Sequence, residues 1–170
     1  MTLEITAALD PPSIESARQL FLEYQRALGV DLCFQGFATE LATLPGAYAP
    51  PQGRLLLARR GESVIGCVAL RPLTEDECEM KRLYLRPANR GAGIGRQLVE
   101  RVIHEARVIG YRRICLDTLP TMQQAQRLYE QLGFRDASPY THNPVEGTRY
   151  LALDLTPESS VPSPDGRGTG

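Results

Sequence analysis

What this sequence lacks excludes several classes of protein. It has no charge excess: 19 basic and 20 acidic side chains leave a formal net charge of −1. Dedicated nucleic-acid binders carry a large positive excess, so no nucleic-acid partner is expected. No apolar run approaches the ~18 residues of a membrane-spanning helix, and no membrane partner is expected either. The stretch Met1-Thr2-Leu3-Glu4-Ile5 has neither the basic start nor the long apolar core of a secretory leader, which makes a cytoplasmic location the default expectation. The four cysteines, Cys33, Cys67, Cys78 and Cys115, form no CxxC pair and have no histidine grouped near them. No metal site is expected. Cys67 and Cys115 lie inside apolar runs, where cysteine behaves as a small buried hydrophobe.

What is present reads as one globular domain. The 170 residues are 42% hydrophobic and 23% charged, an ordinary globular balance. Leu3–Leu9 is a short β-like run closed by Asp10-Pro11-Pro12. A helix is predicted from Ser13, with Ile14, Ala17, Leu20, Phe21, Tyr24 and Leu28 on one face and Gly29 as its stop. A second helix covers Phe37–Leu44. Leu55–Ala58 and Val64–Leu70 read as a hairpin, Met80–Leu85 as a further strand, and Gly95–Ile109 as a strongly amphipathic helix ended by Gly110. Arg113–Asp117 is a strand, Met122–Leu132 a helix, and Thr148–Leu155 a closing strand. This order predicts an α/β (α+β) domain over residues 1–155 with a mixed, mostly antiparallel sheet flanked by helices. Residues 156–170 are Pro, Ser, Gly and charge, and are expected to be a disordered tail.

The chemistry concentrates between Leu83 and Arg96. There a strand runs into Arg90-Gly91-Ala92-Gly93-Ile94-Gly95-Arg96, and the glycines run directly into a helix. Glycine lets backbone N–H groups approach a ligand, and a helix N-terminus offers unpaired N–H groups at the positive end of its dipole, which together make a pyrophosphate site. Arg90 and Arg96 flank it. From Lys81 to Arg113 nine basic residues face only Glu100 and Glu105. A P-loop would require GxxxxGK[ST], which is absent. A dinucleotide fingerprint would require glycine where Arg96 stands, although Asp117 imitates that fold's ribose-binding acid.

The string [RQ]-x-x-G-x-[GA], met by Arg90-Gly91-Ala92-Gly93-Ile94-Gly95, resembles the pyrophosphate loop of the GNAT superfamily of acetyl-CoA-dependent N-acetyltransferases. Leu83-Tyr84-Leu85-Arg86-Pro87 resembles the strand leading into that loop. Ala125-Gln126-Arg127-Leu128-Tyr129-Glu130-Gln131-Leu132-Gly133-Phe134 resembles the family's A-x-x-L-Y-x-x-x-G-F helix. The resemblance implies a splayed parallel strand pair and acetyl-CoA as cosubstrate, held by Leu83, Tyr84, Leu85, Arg90, Gly91, Ala92, Gly93, Ile94, Gly95 and Arg96. It implies that the Leu83 N–H faces the thioester carbonyl and that Tyr129 protonates the departing thiolate. By analogy it admits a homodimer.

Glu75, Asp76, Glu77 and Glu79 cluster before this strand. Glu79 is the expected general base, with Glu77 second, and the cluster would form an acidic rim that draws in a protonated amine. Met122 stands where many members carry Asn. Phe34, Tyr140, His142 and Asn143 are expected to line the acceptor pocket, with His142 as a reserve base. The expected activity is transfer of acetyl to a small-molecule amine. A non-catalytic acyl-CoA-binding module and a protein or peptide acetyltransferase are the alternatives.

Overall fold

The computed structural model describes residues 2–29, 32 and 36–155. Phe34, Cys33 and the segment 156–170 lie outside the described residues. Among the described residues seven strands form one sheet in the order β1-β2-β3-β4-β5-β7-β6. They are β1 (Leu3–Ala7), β2 (Arg54–Arg60), β3 (Ser63–Pro72), β4 (Glu77–Leu85), β5 (Arg113–Thr118), β6 (Arg135–Asp136) and β7 (Arg149–Asp154). Helices α1 (Pro11–Leu28), α2 (Phe37–Thr43), α3 (Ile94–Ile109) and α4 (Gln123–Gln131) cover it. Every pairing is antiparallel except β4 with β5. The mixed, mostly antiparallel sheet expected from the sequence is therefore present.

Strands β2 and β3 are buried on both faces, which is why they read as unbroken apolar runs. Leu56, Ala58, Val68 and Leu70 face the core beneath α3, with Leu98, Val102 and Ala106. Leu55, Leu57, Cys67 and Ala69 face a second core beneath α1 and α2, with Ala17, Leu20, Phe21 and Phe37. Helix α1 begins two residues before the predicted Ser13. Asp10 caps it by accepting from the Ser13 N–H at 3.3 Å, and prolines fill its first positions, where no N–H is required. Cys67, Cys78 and Cys115 are buried, and burial pushes each thiol up from its ordinary range.

Strand β4 changes face partway along. Cys67 pairs with Tyr84, but Ala69 pairs with Lys81, so β4 holds one extra residue there. Arg82 takes up the excess at φ 63°, the sole positive φ among described non-glycine residues. Cys78 and Met80 therefore face the α3 core, and beyond the bulge Leu83 and Leu85 do too. The Arg82 side chain is 2% exposed and bonds Glu40 of α2 twice, at 2.8 and 2.7 Å. The guanidinium also stands 5.1 Å from the centre of the Phe37 ring.

This geometry makes Glu40 structurally costly to lose. Glu40→Ala would strand a buried guanidinium, and is expected to destabilise the protein by about 3–5 kcal/mol. Breaking the partly exposed Arg101–Glu105 pair by Arg101→Ala should cost under about 1 kcal/mol. Urea unfolding midpoints compare the two. Equal losses would show that the Arg82–Glu40 pair does not hold α2 to the sheet.

Candidate active site

The parallel pair is short. Glu77, Cys78 and Glu79 pair with Arg113, Ile114 and Cys115, and there the pairing stops. Met80–Leu85 and Leu116–Thr118 continue without a shared ladder, so the two strands part into a wedge. The orientation of the β4 backbone in this wedge follows from one bond. The Arg86 N–H donates to the Ile65 carbonyl at 2.9 Å, and hydrogen-bonded pairs alternate along an antiparallel ladder. Tyr84 then turns its backbone groups toward β3, and Leu85 turns its own away from β3. The Leu85 carbonyl accordingly accepts from a side chain, Arg90 Nε, at 2.9 Å.

A cleft fills the wedge. Met80, Lys81, Arg82 and Leu83 form one wall, and Leu116, Asp117 and Leu119 the other. Tyr129 and Met122 enter from α4 and its cap, Tyr24 and Leu28 from α1, and Asn143 from the loop before β7. Tyr129 is 4% exposed and leans on Phe134, with ring centres 5.7 Å apart. Burial pushes its phenol up from the ordinary tyrosine range. Burial also raises Tyr24, to about 12, against the opposing pull of the Arg82 charge.

The glycine loop lies past the far end of β4. Gly91 and Gly93 have φ values of 88° and 79°, in the region that disfavours side chains, and nothing lies within 4 Å of where a Cβ would stand on either. Gly93 caps α3 without a side-chain bond, and Gln97 is the first helix residue to donate back, to the Gly93 carbonyl. The amides of Ile94, Gly95 and Arg96 are thus left in an uncapped first turn. Ile94 anchors the loop by burying its side chain, while Ala92 is exposed. Arg90 stacks 5.6 Å from the Tyr84 ring centre, and Arg96 bonds Glu100 and Gln131 at 3.2 and 3.3 Å.

Glu79, expected as the general base, does not line the cleft. It is 1% exposed, accepts from Arg71 Nε at 2.8 Å and from the Tyr140 hydroxyl at 2.6 Å, and lies 3.7 Å from Lys81 Nζ. Burial first, then the charges of Glu79 and Asp117, hold the Tyr140 phenol far above its usual range. The acidic cluster forms no rim here either. Glu77 lies 3.9 Å from Arg113, and neither it, Glu75 nor Asp76 lines the cleft. Glu79 is instead engaged by Arg71 of β3 and Tyr140 of the late loop, at the last paired position before β4 and β5 separate.

That loop is tied down at two points. Tyr140 holds Glu79 and packs edge-on against Tyr150 at 5.8 Å. Asn143 Nδ2 donates to Asp117 Oδ2 at 3.2 Å, and the Asn143 N–H donates to the Tyr150 hydroxyl at 3.1 Å. His142 is exposed and is not part of the lining. Of the residues expected at the site, the structure brings Leu83, Tyr129 and Asn143 together in one cleft. Sequence reasoning passed over Lys81, Asp117 and Tyr24 as cleft residues. The available signal was a pair of adjacent cations, Lys81 and Arg82, within the otherwise apolar stretch Met80–Leu85.

Comparison with known proteins gives the arrangement a context. Residues 15–134 match the model of the Acetyltransferase (GNAT) family. An uncharacterized N-acetyltransferase of Schizosaccharomyces pombe is 39% identical over 156 residues, covering 91% of this chain and 96% of that protein. An IAA acetyltransferase of Azospirillum brasilense is 38% identical over 141 residues, covering 80% and 88%. A GNAT family acetyltransferase from Elizabethkingia anophelis, solved with acetyl-CoA bound, superposes with a TM-score of 0.60 at 22% identity, covering 91% and 97% of the two chains.

The tie between Tyr140 and Glu79 predicts a stability effect. Tyr140→Phe removes one donor from a fully buried carboxylate and should cost about 1–3 kcal/mol in thermal or urea unfolding. A change near zero would mean that the late loop is not held by this bond.

Proposed function

The chain belongs to the GNAT acetyltransferase family, and on that premise we propose that it transfers the acetyl group of acetyl-CoA to a primary amine of a small molecule, by direct attack in a ternary complex. The observation that carries this reading is the wedge between β4 and β5. The stretch Met80–Leu83, past the last β4–β5 pair, forms one wall, and Tyr129 lines the same cleft. Past the end of β4 stand two glycines with open space before them and an uncapped helix turn. An unpaired strand edge ending at an anion site fits a chain of amides that ends in pyrophosphate.

Acetyl-CoA supplies a thioester, a reactive acyl group on a good leaving sulfur. Our assignment gives the Leu83 N–H to the carbonyl oxygen, where a fixed donor favours the charge that develops as the amine attacks. Leu85 and the loop residues Arg90 to Arg96 hold the rest of the molecule, with Tyr84 shielding Arg90. As the N–C bond forms, the C–S bond breaks. Of the two protons that the attacking ammonium loses, one reaches sulfur through the Tyr129 hydroxyl, and the other passes through Asp117 to solvent. Burial of Tyr129 keeps its proton in place until a thiolate appears beside it. We place Glu79 behind the cleft, where it positions Arg71, Lys81 and Tyr140.

A small acceptor is favoured over a protein segment because the cleft is walled. Tyr24, Leu28 and Leu32 stand on one side, and the twice-tied loop carrying Asn143 on another.

Thiol release from acetyl-CoA against a panel of small amines tests the activity, and the absence of turnover with any amine would leave a binding module instead. Tyr129→Phe is expected to lower kcat by about 100-fold or more, with acetyl-CoA affinity by calorimetry nearly unchanged. An unaltered kcat would remove Tyr129 from the reaction. Gly93→Val strains a position at φ 79° and puts a side chain into the open space before the loop, so acetyl-CoA affinity should fall below detection. Retained affinity would move the pyrophosphate elsewhere.

A further inference from the structure

Arg86, Arg90 and Arg96 stand about the junction of β4 with the glycine loop, and the first and last are committed to carboxylates of the fold. Arg86 donates twice to Glu23, at 3.1 and 2.9 Å, and once to the Val64 carbonyl at 2.8 Å. Arg96 bonds Glu100 and Gln131. Arg90 has partners of another kind. Its Nε donates to the Leu85 carbonyl at 2.9 Å, and its Cζ stands 5.6 Å from the centre of the Tyr84 ring. That ring is a fixed shelf: Tyr84 is buried, its hydroxyl reaches Glu23 at 3.4 Å, and Tyr24 packs edge-on against it with centres 6.2 Å apart. The arginine lying on the shelf is exposed.

The Leu85 carbonyl is one that the acyl donor needs. It belongs to the last residue of β4 and turns away from β3, so it is the strand's final outward acceptor before the loop. A strand-like ligand paired there would set its own amide nitrogen about 2.9 Å from that oxygen. Arg90 Nε already keeps that distance. Arg90 also directly precedes Gly91, and open space lies before Gly91 and Gly93. Turning the side chain about its own bonds would carry the guanidinium from the carbonyl to an anion before the loop, while the Arg90 N–H stays on the Pro87 carbonyl at 3.3 Å.

We infer that Arg90 sets the choice of acyl donor. It occupies the Leu85 carbonyl until a pyrophosphate draws its charge away, so the end of β4 opens to a thioester carried on a nucleotide and stays obstructed to a bare pantetheine thioester. This rests on the acetyl-CoA reading and adds a selection step to it. A pyrophosphate offers the guanidinium charge-assisted bonds, which are stronger than one to a neutral carbonyl. An exposed cation over a ring is weakly held, so the exchange is favourable when the anion is present. A ligand without the anion must displace Arg90 and gives it nothing in return.

The test divides the donor into two pieces, S-acetylpantetheine and inorganic pyrophosphate, and follows each by calorimetry beside acetyl-CoA. In the unaltered protein, saturating pyrophosphate should tighten acetylpantetheine binding by about 3- to 10-fold, the net worth of one hydrogen bond. Linkage requires acetylpantetheine to tighten pyrophosphate binding by the same factor. In Arg90→Ala, acetylpantetheine alone should bind about 3- to 10-fold more tightly than to the unaltered protein, with no further gain from pyrophosphate. Acetyl-CoA should bind this variant more weakly. A merely structural arginine would weaken both ligands. Acetylpantetheine that binds no better to Arg90→Ala, or that goes undetected with both proteins, would overturn the inference while bound acetyl-CoA leaves the donor reading standing. No binding of acetyl-CoA to the unaltered protein would overturn both. The coupling in the unaltered protein decides the matter even if Arg90→Ala does not fold.

Discussion

Arg82 occupies a left-handed backbone position inside a strand with its guanidinium buried, and two bonds to Glu40 make that state tolerable. Each condition alone is unfavourable: left-handed backbone costs a side-chain-bearing residue about 1–2 kcal/mol, and an unpaired buried cation costs more. Together they fix the extra residue of β4 at one place. Because of it, Met80 and Leu83 fall on the same face although they are three residues apart. Their neighbours Glu79 and Tyr84 fall on the other. Backbone that would otherwise continue the ladder toward β5 is turned into the wall of a cleft. Helix α2 is drawn into the same arrangement, since Glu40 also accepts from Tyr48 at 2.9 Å.

The second organising feature is the distribution of ion pairs along β4. Arg71–Glu79, Arg82–Glu40 and Arg86–Glu23 lie in succession along the strand. The first joins β3 to β4, and the other two carry α2 and α1 onto the sheet. The second is buried enough on both sides that removing one partner is far more damaging than the pair is stabilising. The pairs act as locators. The third, Arg86–Glu23, ties to β4 the helix α1 that carries Tyr24 and Leu28 of the cleft lining.

The fold was legible because its signals are local and periodic. The stripe Leu98, Val102, Ala106 identified α3, the apolar runs identified β2 and β3, and Gly29 and Gly110 marked the helix ends they close. The glycine loop and Tyr129 were singled out for a different reason, a run of residue types with a recognisable spacing. What local pattern does not show is contact between distant residues. Glu79 stands at the head of the strand and was expected there as the general base. In the structure its oxygens are taken by Arg71 and Tyr140, residues 8 and 61 positions away. Asp117 was noticed only as a mimic of a ribose ligand, because nothing local announces that β5 leaves its neighbour after Cys115. Tyr140 and Asn143 were legible as a polar cluster, though not their division of labour between holding the loop and lining the cleft. His142, between them, points to neither task.

The shortness of the β4–β5 ladder bears on cohesion as well as on shape. Three residue pairs join the half-sheet β1–β4 to the half-sheet β5–β7, with α3 as the covalent strap between them. Past Cys115 the sheet has no backbone of its own to continue the seam. Cohesion across the seam therefore falls to side chains: Cys78 and Met80 of β4 and Ile114 and Leu116 of β5 share one core beneath α3, which holds the two half-sheets together where their backbones part.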